Sequence, residues 1–201
     1  MDHIEATTDR DETLARLRPL HEARVRADFG TDRWWRAEQI HGQGVAVVPG
    51  TATVSAGDGL PVVPGVDGLV TATAGEVLGI YVADCGAIWL ADRGTGAVGL
   101  LHSGKKGTEL GILGEGISLM ARSFGTRPQD LVVVLGPCIR PPHYEIDFAA
   151  EIARQAERAG VGEFHDLGED TACDLENYYS YRIEKGRTGR MLALIGREEV
   201  Q

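Results

Sequence analysis

The residues from Val77 to Ser103 constrain the fold more than any other stretch. They read VLGIYVADC, AIWLAD and GAVGLLHS in succession, three β-type runs with Gly86 between the first two. Upstream, VAVVPG reads as a strand stopped by Pro49 and Gly50. Downstream, LVVVLGP reads as a buried strand and RMLALIG as a last one. Helical patterns fall among them. From about Lys106 to Phe124, Leu110, Leu113, Ile117 and Met120 recur at helical spacing, with Gly125 placed to end the element. DFAAEIARQAERAG reads as a second helix, with Asp147 as N-cap and Gly160 as its stop. Residues 1–10 read as a frayed end, and residues 11–18 as a short helix ended by Pro19. Pro19 itself can open a helix through Phe29, with Gly30 after it. Residues 50–68, rich in Gly and Pro, read as a surface loop. Strands and helices in mixed order, with no repeat, predict an α+β (mixed α/β) fold, layered around one mixed sheet system. The expected organisation is a helical segment over residues 1–30 and one globular unit over 31–201.

Charge and cysteine content narrow the function. Twenty basic against 30 acidic residues give a net charge of −10, which argues against nucleic acid as the main partner. A small anionic ligand needs only a local basic patch. No apolar run approaches the roughly 20 residues of a membrane helix, and the polar N-terminus carries no signal-peptide pattern. Three cysteines without pairing spacing favour a reducing cytoplasm over a disulfide scaffold. Monomer or homodimer are both open.

Three side chains stand at the ends of apolar runs. His41 follows EQI and precedes Gly42, Cys85 precedes Gly86, and His102 precedes SGKKG. Two imidazoles and one thiol converging on one pocket would leave a fourth position open, the pattern of a catalytic zinc. Their separations match no zinc-finger motif, and each alone reads equally well as a small core hydrophobe or a hydrogen-bonded histidine.

Other segments carry weaker signals. In HSGKKGTELG, glycines flank Lys105 and Lys106 at the start of a helix, where an anion would be favoured; a solvated turn fits as well. LGPCIRPPHYEI fixes a rigid loop, with Cys138 read as structural and His143 as a surface residue. Cys173 is read as structural too. YYSYRIEKGRTGR sets tyrosines, Tyr179 among them, beside Arg182, Arg187 and Arg190. Such a group can stack on a base and grip phosphate, or simply pack as an aromatic turn.

Taken in order, QIHG, VDGLVTATAGEVLGIYVADC, GLLHSGKKG, LGPCIRPPHYEI and YYSYRIEKGRTGR resemble the YfiH, or laccase-domain, family from about Trp35 to Leu194. The resemblance implies a four-layer α/β/β/α fold and a zinc site at His41, Cys85 and His102. It implies phosphorolysis of adenosine, inosine or methylthioadenosine, with adenosine deamination beside it, so that a purine nucleoside and phosphate become the expected partners. Within that reading Cys85, His102 and Asp84 are the catalytic candidates, Asp84 as the acid that protonates the leaving purine. Lys106, Ser103, Arg182 and Tyr179 are the substrate-binding candidates. The sequence departs from the family where SGKKG replaces Ala-Gly-Trp-Arg-Gly, where His143 replaces a cysteine, and where the segment from Gly160 to Cys173 is shortened. Three alternatives stand beside it. The first is a metal-free Cys85–His102 deamidase or hydrolase, since the fold resembles that of bacterial glutamine deamidases. The second is a copper phenol oxidase, although six histidines are few for several coppers and only a single copper at the trio would suit. The third is a binding module whose pocket has decayed, motivated by Lys105 in place of Trp.

Overall fold

The structure, a computed structural model, describes residues 9–31, 34–57, 59 and 61–197. The first helix, α1 (Arg10–Phe29), begins one residue before the helix expected from residue 11. Asp9 caps it by accepting a hydrogen bond from the Glu12 N–H at 3.0 Å; residues 1–8 lie outside the described residues. Nor does Pro19 divide it. A mid-helix proline costs about 3 kcal/mol. Leu14 and Leu17 on one side of it and Val25 on the other are all buried, and burying each contributes about 1.5–3 kcal/mol. The packing therefore outweighs the proline.

The strands follow as β1 (Trp35–Arg36), β2 (Val45–Val47), β3 (Val54–Ser55), β4 (Pro61–Val62), β5 (Gly68–Thr71), β6 (Val77–Val82), β7 (Gly86–Asp92) and β8 (Val98–Ser103). The expected loop at 50–68 thus holds a small antiparallel pair, β3 with β4. Next come α2 (Lys105–Leu110), α3 (Ile112–Phe124), β9 (Leu131–Leu135), α4 (Phe148–Ala159), β10 (Glu163–Asp166) and β11 (Met191–Gly196). The single helix expected from Lys106 to Phe124 is two, because Gly111 takes a left-handed φ of 82° between them. Leu110, expected on the apolar stripe, is consequently exposed. Asp147 and Gly160 cap α4 as expected, the carboxylate accepting from the Ala150 N–H at 2.9 Å.

Two sheets stack. One has the order β1-β6-β11 and the other β10-β9-β7-β8-β5-β2. Strand alternation assigns the layers. Leu78, Ile80 and Val82 of β6 meet Leu69, Ala87 and Leu100 of the larger sheet in one core. Their neighbour Tyr81 turns outward, its ring 5.2 Å from that of His21 on α1. On the far face of the larger sheet, Val70, Ile88, Leu90 and Leu101 pack with Leu113, Ile117 and Met120 of α3 and Ile152 of α4. The order is α1, small sheet, large sheet, then α3 and α4, a four-layer α/β/β/α fold. Among the described residues no helix is long and apolar enough to cross a membrane.

Candidate active site

Register explains why the trio meets. In the antiparallel β5–β8 pair, Gly68 lies opposite Leu101, so Asp67 falls beside His102. In the β7–β8 pair, Gly86 lies opposite Ser103 and Ala87 opposite His102. Alternation turns Val98, Leu100 and His102 into the space between the sheets, while Gly99, Leu101 and Ser103 face the helices. Asp67, Cys85 and His102 are therefore delivered to one end of the sandwich by three adjacent strands.

His41 comes from the loop before β2. Gln39 and His41 both have positive φ, 63° and 61°, which costs of order 1–3 kcal/mol at non-glycine residues. Hydrogen bonds hold the loop there. The Gln39 amide donates to the Tyr81 carbonyl at 2.6 Å and accepts from the Tyr81 N–H at 2.9 Å. Asp67, fully buried, accepts from the His41 N–H at 2.8 Å, from the Gly42 N–H at 2.7 Å and from His102 Nδ1 at 2.8 Å. Sequence reasoning passed over Asp67, because its Asp-Gly pair reads as a turn and only the sheet register brings it to His102.

The ligand-type atoms of His41, Cys85 and His102 all lie within 4.8 Å of one another. The two imidazole rings stand edge to face at 4.8 Å between centroids. With Nδ1 of His102 occupied by Asp67, its Nε2 is left for the centre of the trio, as in histidines that hold a metal with a carboxylate behind them. Burial pushes the Cys85 thiol up, but hydrogen bonds from His102 and His41 and their charges outweigh it and bring it down to about 6. Burial also works against a charged His102, yet Asp67 and Cys85 raise it to about 9. Both shifts favour a thiolate–imidazolium pair in the metal-free site, where a divalent cation would take the place of the imidazolium proton. Gly104 keeps the space open: a Cβ there would lie 2.7 Å from Cys85 Sγ and 3.9 Å from His41 Cδ2. Two imidazoles, one thiolate, a supporting carboxylate and that space fit a zinc ion.

The trio lines a cavity of about 830 Å³. Its wall carries Arg10, Lys105, Lys106, Arg182, Lys185 and Arg190, with Asp84 as the one acid among the described residues that line it, in a chain of net charge −10. Tyr144 and Phe148, edge to face at 6.0 Å, add an aromatic wall, and the Arg182 guanidinium sits 5.3 Å above the Tyr144 ring. Of these, Arg10 and Phe148 carry no motif that would have marked them, while Tyr144 and Lys185 lie within LGPCIRPPHYEI and YYSYRIEKGRTGR without being marked as site residues.

Several expected roles change. Alternation carried on from β6 would point Asp84 away from Cys85. Asp84 lies instead in the turn after β6, with a φ of 81°, and both residues line the cavity. Its two oxygens already accept from Thr171 Oγ1 at 2.8 Å and from the Arg182 N–H at 2.7 Å. That suits a group that positions Arg182 better than one that hands a proton to a leaving purine. Ser103 faces the helices, fully buried, and shares a hydrogen bond with Thr108 at 2.9 Å, so it is not a substrate contact. Tyr179 is buried against Gly189, and it is Tyr181 that lines the cavity. Helix α2 is only 6 residues long, so an anion here would rely on the two lysines rather than on a helix terminus. Cys138 is fully buried, and burial pushes its thiol up to about 12.

Comparison with known proteins now places the chain. The family model described as multi-copper polyphenol oxidoreductase laccase matches residues 5–153 and 143–198. The chain belongs to this laccase-domain family. YlmD of Geobacillus stearothermophilus, named a purine nucleoside phosphorylase, is 33% identical over 205 residues, covering 85% of this chain and 74% of its own. A protein of Deinococcus radiodurans with the same name is 34% identical over 212 residues, covering 89% and 78%. The crystal structure of YlmD superposes with a TM-score of 0.79 at 30% identity, over 95% of this chain and 82% of that one. YfiH of Bacillus licheniformis shares the fold, with a TM-score of 0.80 at 23% identity over 94% and 82%. The laccase-domain description speaks of several coppers, yet of the described histidines only His41 and His102 line this cavity.

Proposed function

We propose that the chain is a purine nucleoside phosphorylase with zinc held by His41, Cys85 and His102. The observation that carries this is the convergence of the trio on a cavity with six cations in its wall, in a chain 33% and 34% identical to two proteins of that name. In the reaction a phosphate oxygen bonds to C1′ of the ribose and the C1′–N9 bond breaks. Its electron pair leaves with the purine, which takes up a proton. When bound, zinc supplies Lewis-acid polarisation at the trio. The rest falls to the chain. Lys105 and Lys106, which form no ion pair among the described residues, neutralise phosphate. Arg182, positioned through Asp84, is a second anion contact. Tyr144 and Phe148 offer faces against which a purine can stack. Adenosine, inosine and methylthioadenosine are the substrates this reading expects. Three free cysteines accord with a reducing cytoplasm.

A second reading rests on the line Asp67–His102–Cys85, which is also how a thiol nucleophile, its base and an orienting acid are arranged. In such a hydrolase or deamidase His41 would have no task. Metal content separates the two. The proposed phosphorylase purifies with zinc, loses about one equivalent per chain with His41→Ala, and stops consuming adenosine in Cys85→Ala. A metal-free wild type that is fully active would refute the zinc-dependent reading.

A further inference from the structure

A second cluster of metal-type ligands lies away from the trio. His143 belongs to the loop between β9 and α4, Asp170 and Cys173 to the segment after β10. His143 Nδ1 is 2.8 Å from Asp170 Oδ2, and Cys173 Sγ is 3.7 Å from each of those two atoms. We infer that His143, Asp170 and Cys173 form a second metal-binding site, suited to a divalent cation of zinc type.

Geometry rules out the usual alternative for this residue set. In a thiol–imidazole–carboxylate relay the two ring nitrogens are divided, one toward the acid and one toward the thiol. Here the same nitrogen, Nδ1, faces both. Three donor atoms of three chemistries converge on one point, which is where a cation sits. Zinc distances of about 2.05 Å to N, 2.1 Å to O and 2.3 Å to S, at tetrahedral angles, require separations of about 3.6 Å from S to N and from S to O, and about 3.4 Å from N to O. The two sulfur separations already match. The N–O separation must open by about 0.6 Å, as it can once the metal replaces the hydrogen bond between those atoms.

The ligands are held before any metal arrives. Asp170 Oδ1 accepts from the backbone N–H groups of Ala172 at 3.0 Å and Arg140 at 3.3 Å, which leaves Oδ2 turned to His143. Asp170 is also fixed by a bridge to Cys138 in the adjoining loop. A turn from Asp170 to Cys173, with the Cys173 N–H donating to the Asp170 carbonyl at 3.1 Å, brings the thiol back over the carboxylate. On binding, the thiol proton leaves to solvent, and the imidazole binds through Nδ1 as the neutral tautomer that carries its proton on Nε2. The site would staple two segments that shape the cavity: Tyr144 adjoins His143 and lines it, while Thr171 adjoins Asp170 and bonds to Asp84.

The test uses the whole chain carrying Cys85→Ser, stripped with chelator and titrated with Cd²⁺ while the ultraviolet thiolate-to-metal charge-transfer band is followed. The expected result is a band saturating at about one equivalent, absent in Cys173→Ser and at least 10-fold weaker in affinity in His143→Ala and Asp170→Asn. No band, or a band unchanged by His143→Ala, would overturn the site, since a lone thiolate would then account for the metal. Should Cys85→Ser fail to fold, the same answer comes by difference, with Cys173→Ser removing one equivalent from the otherwise wild-type chain. Failure of the trio to bind metal would leave the Cys173-dependent band in place, so the two proposals fall separately.

Discussion

Asp67→Asn is the sharpest single perturbation of the site. The carboxylate is fully buried and accepts three hydrogen bonds: Oδ1 from the His41 N–H and His102 Nδ1, Oδ2 from the Gly42 N–H. Asparagine keeps one acceptor oxygen and replaces the other with a donor. If its oxygen stays with the histidines, its amide faces the Gly42 N–H, and two donors confront each other in a buried place. One bond to a charged acceptor is lost, worth about 1.5–3 kcal/mol, and an unsatisfied donor costs about 1–3 kcal/mol in its own right. These overlap in one event, so a loss near 3 kcal/mol is expected in urea unfolding of the metal-free chain. His41, held at a φ of 61°, should lose its place. The imidazolium of His102 loses a partner that raises its pKa, so its NMR titration moves down. Metal affinity should fall 10- to 100-fold, as for other groups that orient a metal-binding histidine. A variant within about 0.5 kcal/mol of wild type, with unchanged metal affinity, would refute the claim that Asp67 organises the site.

Three further outcomes follow from the same structure. Gly104→Ala places a methyl 2.7 Å from Cys85 Sγ and should cut zinc affinity at least 10-fold at unchanged far-ultraviolet circular dichroism; unaltered affinity would mean that the trio is not the site. Lys106→Ala should raise KM for phosphate about 10-fold with little change in KM for the nucleoside, and an equal rise in both would remove Lys106 from phosphate binding. His21 is held down to about 4 by burial and then by Arg36, with no hydrogen-bond partner for Nδ1 among the described residues. Its folded pKa lies below its unfolded one, so its contribution is intact above pH ~6.5 and is lost toward pH ~4, by at most about 3 kcal/mol. His21→Leu should flatten that acid limb in urea titrations, and an unchanged limb would assign it to other groups.

The parts of the fold that announced themselves did so through pattern. The apolar runs of β6, β7 and β8 and the capped, amphipathic α4 stand where the residues placed them. β10 did not show, because Glu163, His165 and Asp166 give its four residues no apolar period. The course of α1 through Pro19 depends on burial across the small sheet, which propensity does not carry. His41, Cys85 and His102 were marked by their places at the ends of runs and by family resemblance. Asp67 was not, since its partner lies 35 residues away and only sheet register joins them. Asp84 departs from alternation because it stands two residues past β6, in a left-handed turn. Tyr179 and Tyr181 sit in a segment without periodicity, so nothing in the sequence said which ring faces the cavity.

The most direct measurement is product identity. Zinc-loaded protein is incubated with adenosine, with and without inorganic phosphate, and adenine, inosine and ribose 1-phosphate are followed by mass. The account predicts adenine and ribose 1-phosphate in equal amounts, only with phosphate, and neither in Cys85→Ala. Inosine in place of adenine, formed without need of phosphate, or adenine with free ribose, would contradict it.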